Sequence, residues 1–452
     1  GLDIRHKSEN AGTPEISKNE KNVTYRWKLV KVAVKKPKPY QLPELYEPLI
    51  ITTATNFYID EYEGRLSDWN EFGKFNQQLL KGRQELPDDF KAKVTELIAD
   101  KKDKKEIVRT LYEFMQKNTR YVSIQLGIGG WQPFDAAFVA KNGYGDCKAL
   151  SNFMMSMLKL ANIKSYYTLV RAGSDAKAID ATFPSPHFNH AFLCVPLDKD
   201  TIWLECTSQI SVFNSRSNFT DDRYCLLITE EGGKLVRTPA FTHFENYKLS
   251  TSTVTVKNGS INIACKNEYK GQAYDEKNFF RHHFTLDEQK EALAKNIRVK
   301  NFSIEHFNYV ENRNSGSLTE NIFLYSINKS INLSDARFVI PISFPANGVD
   351  IPVKDTERKE EIFIRRNMLL KDSMIVEIPK GFKLENTIVP IETVKKWGSY
   401  AIKYSVGEDK VIIVREFKLF KGLYDAALYE EFYNYLKDCN HTDKTTLSFV
   451  KT

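Results

Sequence analysis

Tyr144-Gly145-Asp146-Cys147-Lys148-Ala149-Leu150 is the stretch on which the reading of this chain turns. It stands immediately before a helix-like run. Leu150, Phe153, Met154, Met157, Leu158 and Ala161 recur at helical spacing, which predicts a central buried helix reaching about Ala161. The methionines in it read as core packing. Cys147 therefore sits at a helix start. A helix N-terminus and a nearby imidazolium both stabilise a thiolate and lower the thiol pKa. The first is supplied by position, and the second has to come from elsewhere in the chain.

Two downstream motifs offer the missing groups. His190 lies in Phe188-Asn189-His190-Ala191-Phe192, and Glu205 in Ile202-Trp203-Leu204-Glu205-Cys206-Thr207. His190 to Leu197 and Thr201 to Glu205 form a hairpin pattern around Asp198-Lys199-Asp200. A turn centred near Asp198 and Lys199 places a residue close to Glu205 across from His190. The carboxylate is then within reach of the ring, where it can fix the tautomer and stabilise the charged form. A cysteine nucleophile with its base and orienter follows from Cys147, His190 and Glu205. His187, in a Ser185-Pro186-His187 loop context, is the competing base. Acyl transfer also needs donors for a developing oxyanion. The Cys147 backbone N–H is one; Gln132 or Trp131, in Gly129-Gly130-Trp131-Gln132-Pro133, is the candidate second, with Gln125 as rival.

Composition bounds the remaining readings. A chain of 452 residues is too long for one ordinary core. Hydrophobic content of 42% with 27% charged residues fits a globular protein, and no run approaches a membrane span, so no transmembrane segment is expected. The chain starts at Gly1, so a signal segment removed beforehand is compatible with it. The net charge of +7 is scattered, with neither a basic stripe nor a stacking motif, and no nucleic-acid partner is expected. Six cysteines include no C-x-x-C pair, so a metal cage is not indicated. Nothing calls for an organic cofactor. Cys194 and Cys206, on neighbouring predicted strands, are the obvious candidates for a bridge, against the simpler reading of two buried thiols. The glycine cluster Gly127 to Gly130 lacks the Gly-Lys-Ser/Thr of a phosphate loop.

Along the chain, residues 1–65 read as part of a β-domain with a Pro-rich linker, Lys36-Pro37-Lys38-Pro39-Tyr40, with Pro43 and Pro48 behind it. Residues 66–215 carry three helical patterns before Cys147. Leu66 to Leu80 has Ser67 as its candidate cap, a second opens at Pro87, and a third runs from about Lys105 to Lys117. Residues 216–350 are β-rich, with a hairpin at Asn258-Gly259 and one helix near Thr285-Leu286-Asp287-Glu288, which has capping-box spacing. Residues 351–452 form a further β block with a Tyr-rich helix over about Leu423 to Leu436.

At these motifs the chain resembles the transglutaminase-like superfamily of papain-like thiol enzymes, over about residues 66 to 215. The whole layout is similar to bacterial multidomain proteins whose transglutaminase-like core is flanked by uncharacterised β-domains. The resemblance implies an α+β fold: a papain-like core of helices and antiparallel sheet, with β-rich domains around it. It implies a Cys-His-Asp triad carried onto Cys147, His190 and Glu205, and an exported protein, periplasmic or envelope-associated. Glu205 departs from the usual Asp by one methylene, which asks the backbone to stand slightly further away. The expected activity is that of a cysteine protease or amidase acting on peptide or protein, or of an acyltransferase. The alternative is a catalytically silent scaffold that binds protein or glycan at the cell envelope.

Overall fold

The computed structural model describes residues 3–32, 38–42, 47–174, 176–257, 259–296, 302–326, 333, 335–341, 348–386, 389–444 and 446–452. It is a mixed, sheet-rich α+β structure with several antiparallel sheets. The chain forms two compact units, Gly1–Lys36 with Pro43–Ala240, and Pro37–Leu42 with Phe241–Thr452.

The helices of the first unit include α1 (Trp69–Leu80), α2 (Asp88–Ile98), α3 (Lys104–Asn118), α4 (Ala136–Asn142) and α5 (Cys147–Leu160). Two of these, α1 and α5, lie against one sheet, and the other three pack on α5. The sheet has five antiparallel strands in the order Thr201–Leu204, His190–Pro196, Tyr166–Val170, Tyr224–Thr229 and Gly232–Arg237. It therefore runs past the division expected at residue 215. Strand alternation decides the faces: Ala191, Leu193 and Val195 join the core shared with the helices, whereas Phe192 and Cys194 pack with Trp203 and Cys225 on the other side. Phe72, Phe75 and Leu79 turn α1 onto this core. Its cap is Asp68, whose carboxylate accepts from the Glu71 amide at 2.9 Å, one position later than Ser67. The helix crosses the last strand at glycines, where a Cβ on Gly73 would lie 1.8 Å from the Gly233 nitrogen. The short pairs Ile4–Glu9 with Leu49–Ala54 and Asn56–Ile59 with Tyr62–Arg65 belong to the same unit.

The second unit is built on an eight-stranded sheet that takes strands from both sides of the division expected at residue 350. Its pairings are antiparallel except one, Tyr247–Lys257 beside Met368–Glu377. Hairpin strands Tyr247–Lys257 and Ser260–Lys270 pair as expected, though Asn258 of the turn lies outside the described residues. The capping box at Thr285 and Glu288 is formed in both directions, at 2.8 and 3.3 Å, and opens the helix Leu286–Asn296. A helix not anticipated, Gln272–His283, precedes it. The Tyr-rich helix is Tyr429–Thr442, starting later than expected because Gly422–Tyr424 pairs as a strand with Ile362–Ile364. Residues 38–42 of the Pro-rich stretch pack in this unit, and Pro37 and Pro43 lie outside the described residues. Among the described residues no helix is long and apolar enough to cross a membrane.

Candidate active site

Asp146 sits in extended backbone conformation and caps α5, its Oδ1 accepting from the Ala149 amide at 2.9 Å. That cap fixes Cys147 as the first residue of the helix. Helix amides in the first turn lack intrahelical acceptors, so they point their partial positive charge past the thiol. The other face of α5 is buried almost throughout, and Ser151 Oγ donates to the Ala191 carbonyl at 3.1 Å. This bond ties the helix to the strand that begins at His190.

His190 is held from both sides along the chain. Asn189 bonds both backbone groups of Ala172, accepting at 2.6 Å and donating at 2.9 Å, and so closes the base of the loop between the two strands. The hairpin turns at Leu197–Asp200, with Asp198 and Lys199 at its tip. Its register pairs Leu193 with Leu204, so Glu205, just past the strand end, falls diagonally across from His190. The extra methylene lets Glu205 reach, and its Oε2 lies 2.8 Å from His190 Nε2. Its Oε1 accepts from the Thr207 amide at 3.0 Å and from the Thr207 hydroxyl. Tyr112 on α3 donates to the Glu205 carbonyl at 2.8 Å, and Gln116 bonds the carbonyls of Ser208 and Ser211. The carboxylate is thus fixed at both oxygens and at its backbone.

Nε2 is committed to Glu205, which leaves the other ring nitrogen for the Cys147 thiol; Cys147 and His190 line the same cavity. Burial opposes the imidazolium, but the Glu205 carboxylate and then the neighbouring Cys147 outweigh it and push His190 up to about 10. Burial likewise works against the Glu205 anion, yet His190 and the Thr207 bonds pull its carboxyl below the usual value. Cys147 and Glu205 are 5% and 3% exposed, so this group is enclosed rather than displayed.

A cavity of about 380 Å³ reaches the group. Phe72, Leu169 and Phe188 supply apolar walls, and Asn76, Gln125 and Lys148 supply polar ones. Trp131 lines it as well. Gln132 does not: its side-chain amide donates to the Tyr62 hydroxyl at 2.9 Å. The Trp131 and Gln132 backbone amides both bond the Ile128 carbonyl, so neither faces an incoming oxygen. His187 is half-buried and does not line this cavity, and burial pushes it down. A larger cavity, about 850 Å³, lies at the far end of α5 beside Lys81 and Lys159, away from Cys147, His190 and Glu205. All six cysteines are buried free thiols, and Cys194 and Cys206 belong to opposite sides of the sheet.

Four contributors went unread in the sequence. Asn189, Tyr112 and Thr207 act through backbone bonds whose partners are set by folding. Lys148 stood in the quoted motif, but its burial has no signature in one sequence.

Residues 336–449 match a family described as a domain of unknown function with solved structure (DUF3858). That span lies in the second unit and holds none of the cleft residues. Among solved structures, a "putative protease" from Parabacteroides distasonis ATCC 8503 aligns with a TM-score of 0.58 at 12% identity, over 99% of this chain and 70% of that one. At that identity the likeness establishes a shared fold. No curated protein matches the chain.

Proposed function

We propose that the first unit is a cysteine-dependent amide hydrolase of the transglutaminase-like, papain-like kind, acting on peptide or protein substrates. The observation that carries this reading is the His190 ring, bonded to the buried Glu205 and lining one cleft together with the Cys147 thiol at a helix start. In the proposed cycle the pair's proton already rests on His190, and the Cys147 sulfur attacks the amide carbonyl as the thiolate. The tetrahedral oxyanion is met by the Cys147 amide, with Gln125 as the cleft-lining second donor. Collapse breaks the C–N bond, and His190 gives its proton to the leaving amine. Water, deprotonated by His190, then releases the acyl group as an acid and restores the thiolate beside the imidazolium. An amine in place of water would give acyl transfer. The name of the structural neighbour supports the hydrolytic branch. The resemblance of the motifs supports an exported protein working at the cell envelope.

The test is the pH dependence of Cys147 alkylation by iodoacetamide, read at that cysteine by mass spectrometry, in the parent chain and in His190→Ala. Fast alkylation well below the ordinary thiol range, lost in His190→Ala, is the expected result. Ordinary thiol behaviour in both would overturn the reading in favour of a silent binding scaffold.

A further inference from the structure

We propose that Lys148 is a positioning residue for the thiol. Its ammonium cancels the buried carboxylate that caps α5, so that Cys147, lying between the two in sequence, can carry negative charge. The inference rests on the thiol chemistry proposed above.

Asn or Ser at an N-cap accepts the same amide without any charge. Here the cap is Asp146, 3% exposed and next in sequence to Cys147. A buried carboxylate so close opposes a thiolate, because like charges disfavour each other's ionised forms. Lys148 is 7% exposed, and its Nζ binds Asp146 Oδ2, the oxygen left over from capping. A lysine is seldom buried unless paired, and this one lies at the cleft wall rather than snorkelling to solvent.

The other charged and titratable groups around the sulfur are His190 and Glu205 from the hairpin, Tyr167 from the neighbouring strand and Cys206 from the segment after Glu205. Burial pushes Tyr167 and Cys206 well above their usual values, so both stay neutral. That leaves two carboxylates and two cations, each carboxylate with its own partner. Removing the Lys148 charge leaves the Asp146 carboxylate uncompensated next to Cys147 in the chain.

The experiment is the same alkylation profile in the full chain, using iodoacetamide because it is uncharged. In Lys148→Met the acid limb should move up by about one pH unit, the lower end of the shift expected from one nearby charge. Lys148→Arg should restore it. Asp146→Asn keeps the cap and leaves Lys148 unbalanced, so its limb should move the opposite way, downward; this variant decides the matter even if Lys148→Met fails to fold. An activated parent whose limb stays in place in both Lys148→Met and Asp146→Asn would overturn the role of Lys148 alone. An ordinary-thiol parent would overturn the proposed function, and this inference with it.

Discussion

At His190 two effects of opposite sign meet on one ring. Desolvation alone would leave a neutral imidazole, and the Glu205 carboxylate reverses that outcome. The pair should therefore be visible in stability as well as chemistry. A histidine held above its ordinary value of 6.5 contributes stability that is full below 6.5 and is lost as pH rises towards about 10. Glu205, held below its ordinary 4.5, contributes stability that is present above 4.5 and is lost as pH falls through its lowered value. The ion pair is thus worth most between about 4.5 and 6.5. In Glu205→Gln the melting temperature should vary less between pH 6 and 10 than in the parent, and the variant should be destabilised most at about pH 6. Equal pH slopes in the two proteins would mean that Glu205 does not hold the imidazolium.

At the scale of an element, α5 shows which parts of the site are legible in sequence. The apolar spacing from Leu150 to Ala161 and the two-strand pattern around Asp198-Lys199 are local features. From them follows the approach of Cys147, His190 and Glu205. The oxyanion candidates fared differently, because the 3-10 turn at Gly127–Gly130 consumes the Trp131 and Gln132 amides, and a glycine cluster does not announce where its hydrogen bonds go. The start of α5 was legible as a helix start but not as an ion pair. Capping is worth about 1 kcal/mol, whereas removing one partner of a buried pair costs about 3–5 kcal/mol. Asp146→Ala should accordingly cost more than a cap alone, because Lys148 is left buried and unpaired. Adding Lys148→Met should return most of the loss. Urea midpoints at constant m-value measure this. Additive losses in the double variant would show that the two side chains do not share one interaction.

Across the whole molecule the distance between partners in sequence decides what can be read. The eight-stranded sheet joins Tyr247–Lys257 to Met368–Glu377 in parallel, and no turn residue or spacing marks a pairing between segments so far apart. Four sequential blocks were the natural expectation, and two compact units are what long-range pairing produces. The same holds for the charge at the centre of the second unit. Arg415 occupies an alternating strand where an exposed position would be unremarkable, yet it is fully buried. It donates to Asp372 at 2.7 Å and to both oxygens of Asp443 at 2.6 and 2.8 Å. Tyr400 completes the group by donating to Asp443 at 2.9 Å. Arg415 thereby links two central strands to the end of the Tyr429–Thr442 helix, which also carries the buried Cys439. Arg415→Met removes the buried cation that faces the Asp372 and Asp443 carboxylates, a loss of about 3–5 kcal/mol. The helix should open more often, and Cys439 should react with a thiol reagent markedly faster than in the parent under native conditions. If the Cys439 rate were unchanged while the unit's denaturant midpoint fell, the helix would be held by its apolar face, Phe432, Leu436 and Cys439 itself, and the buried arginine would act on the strands alone.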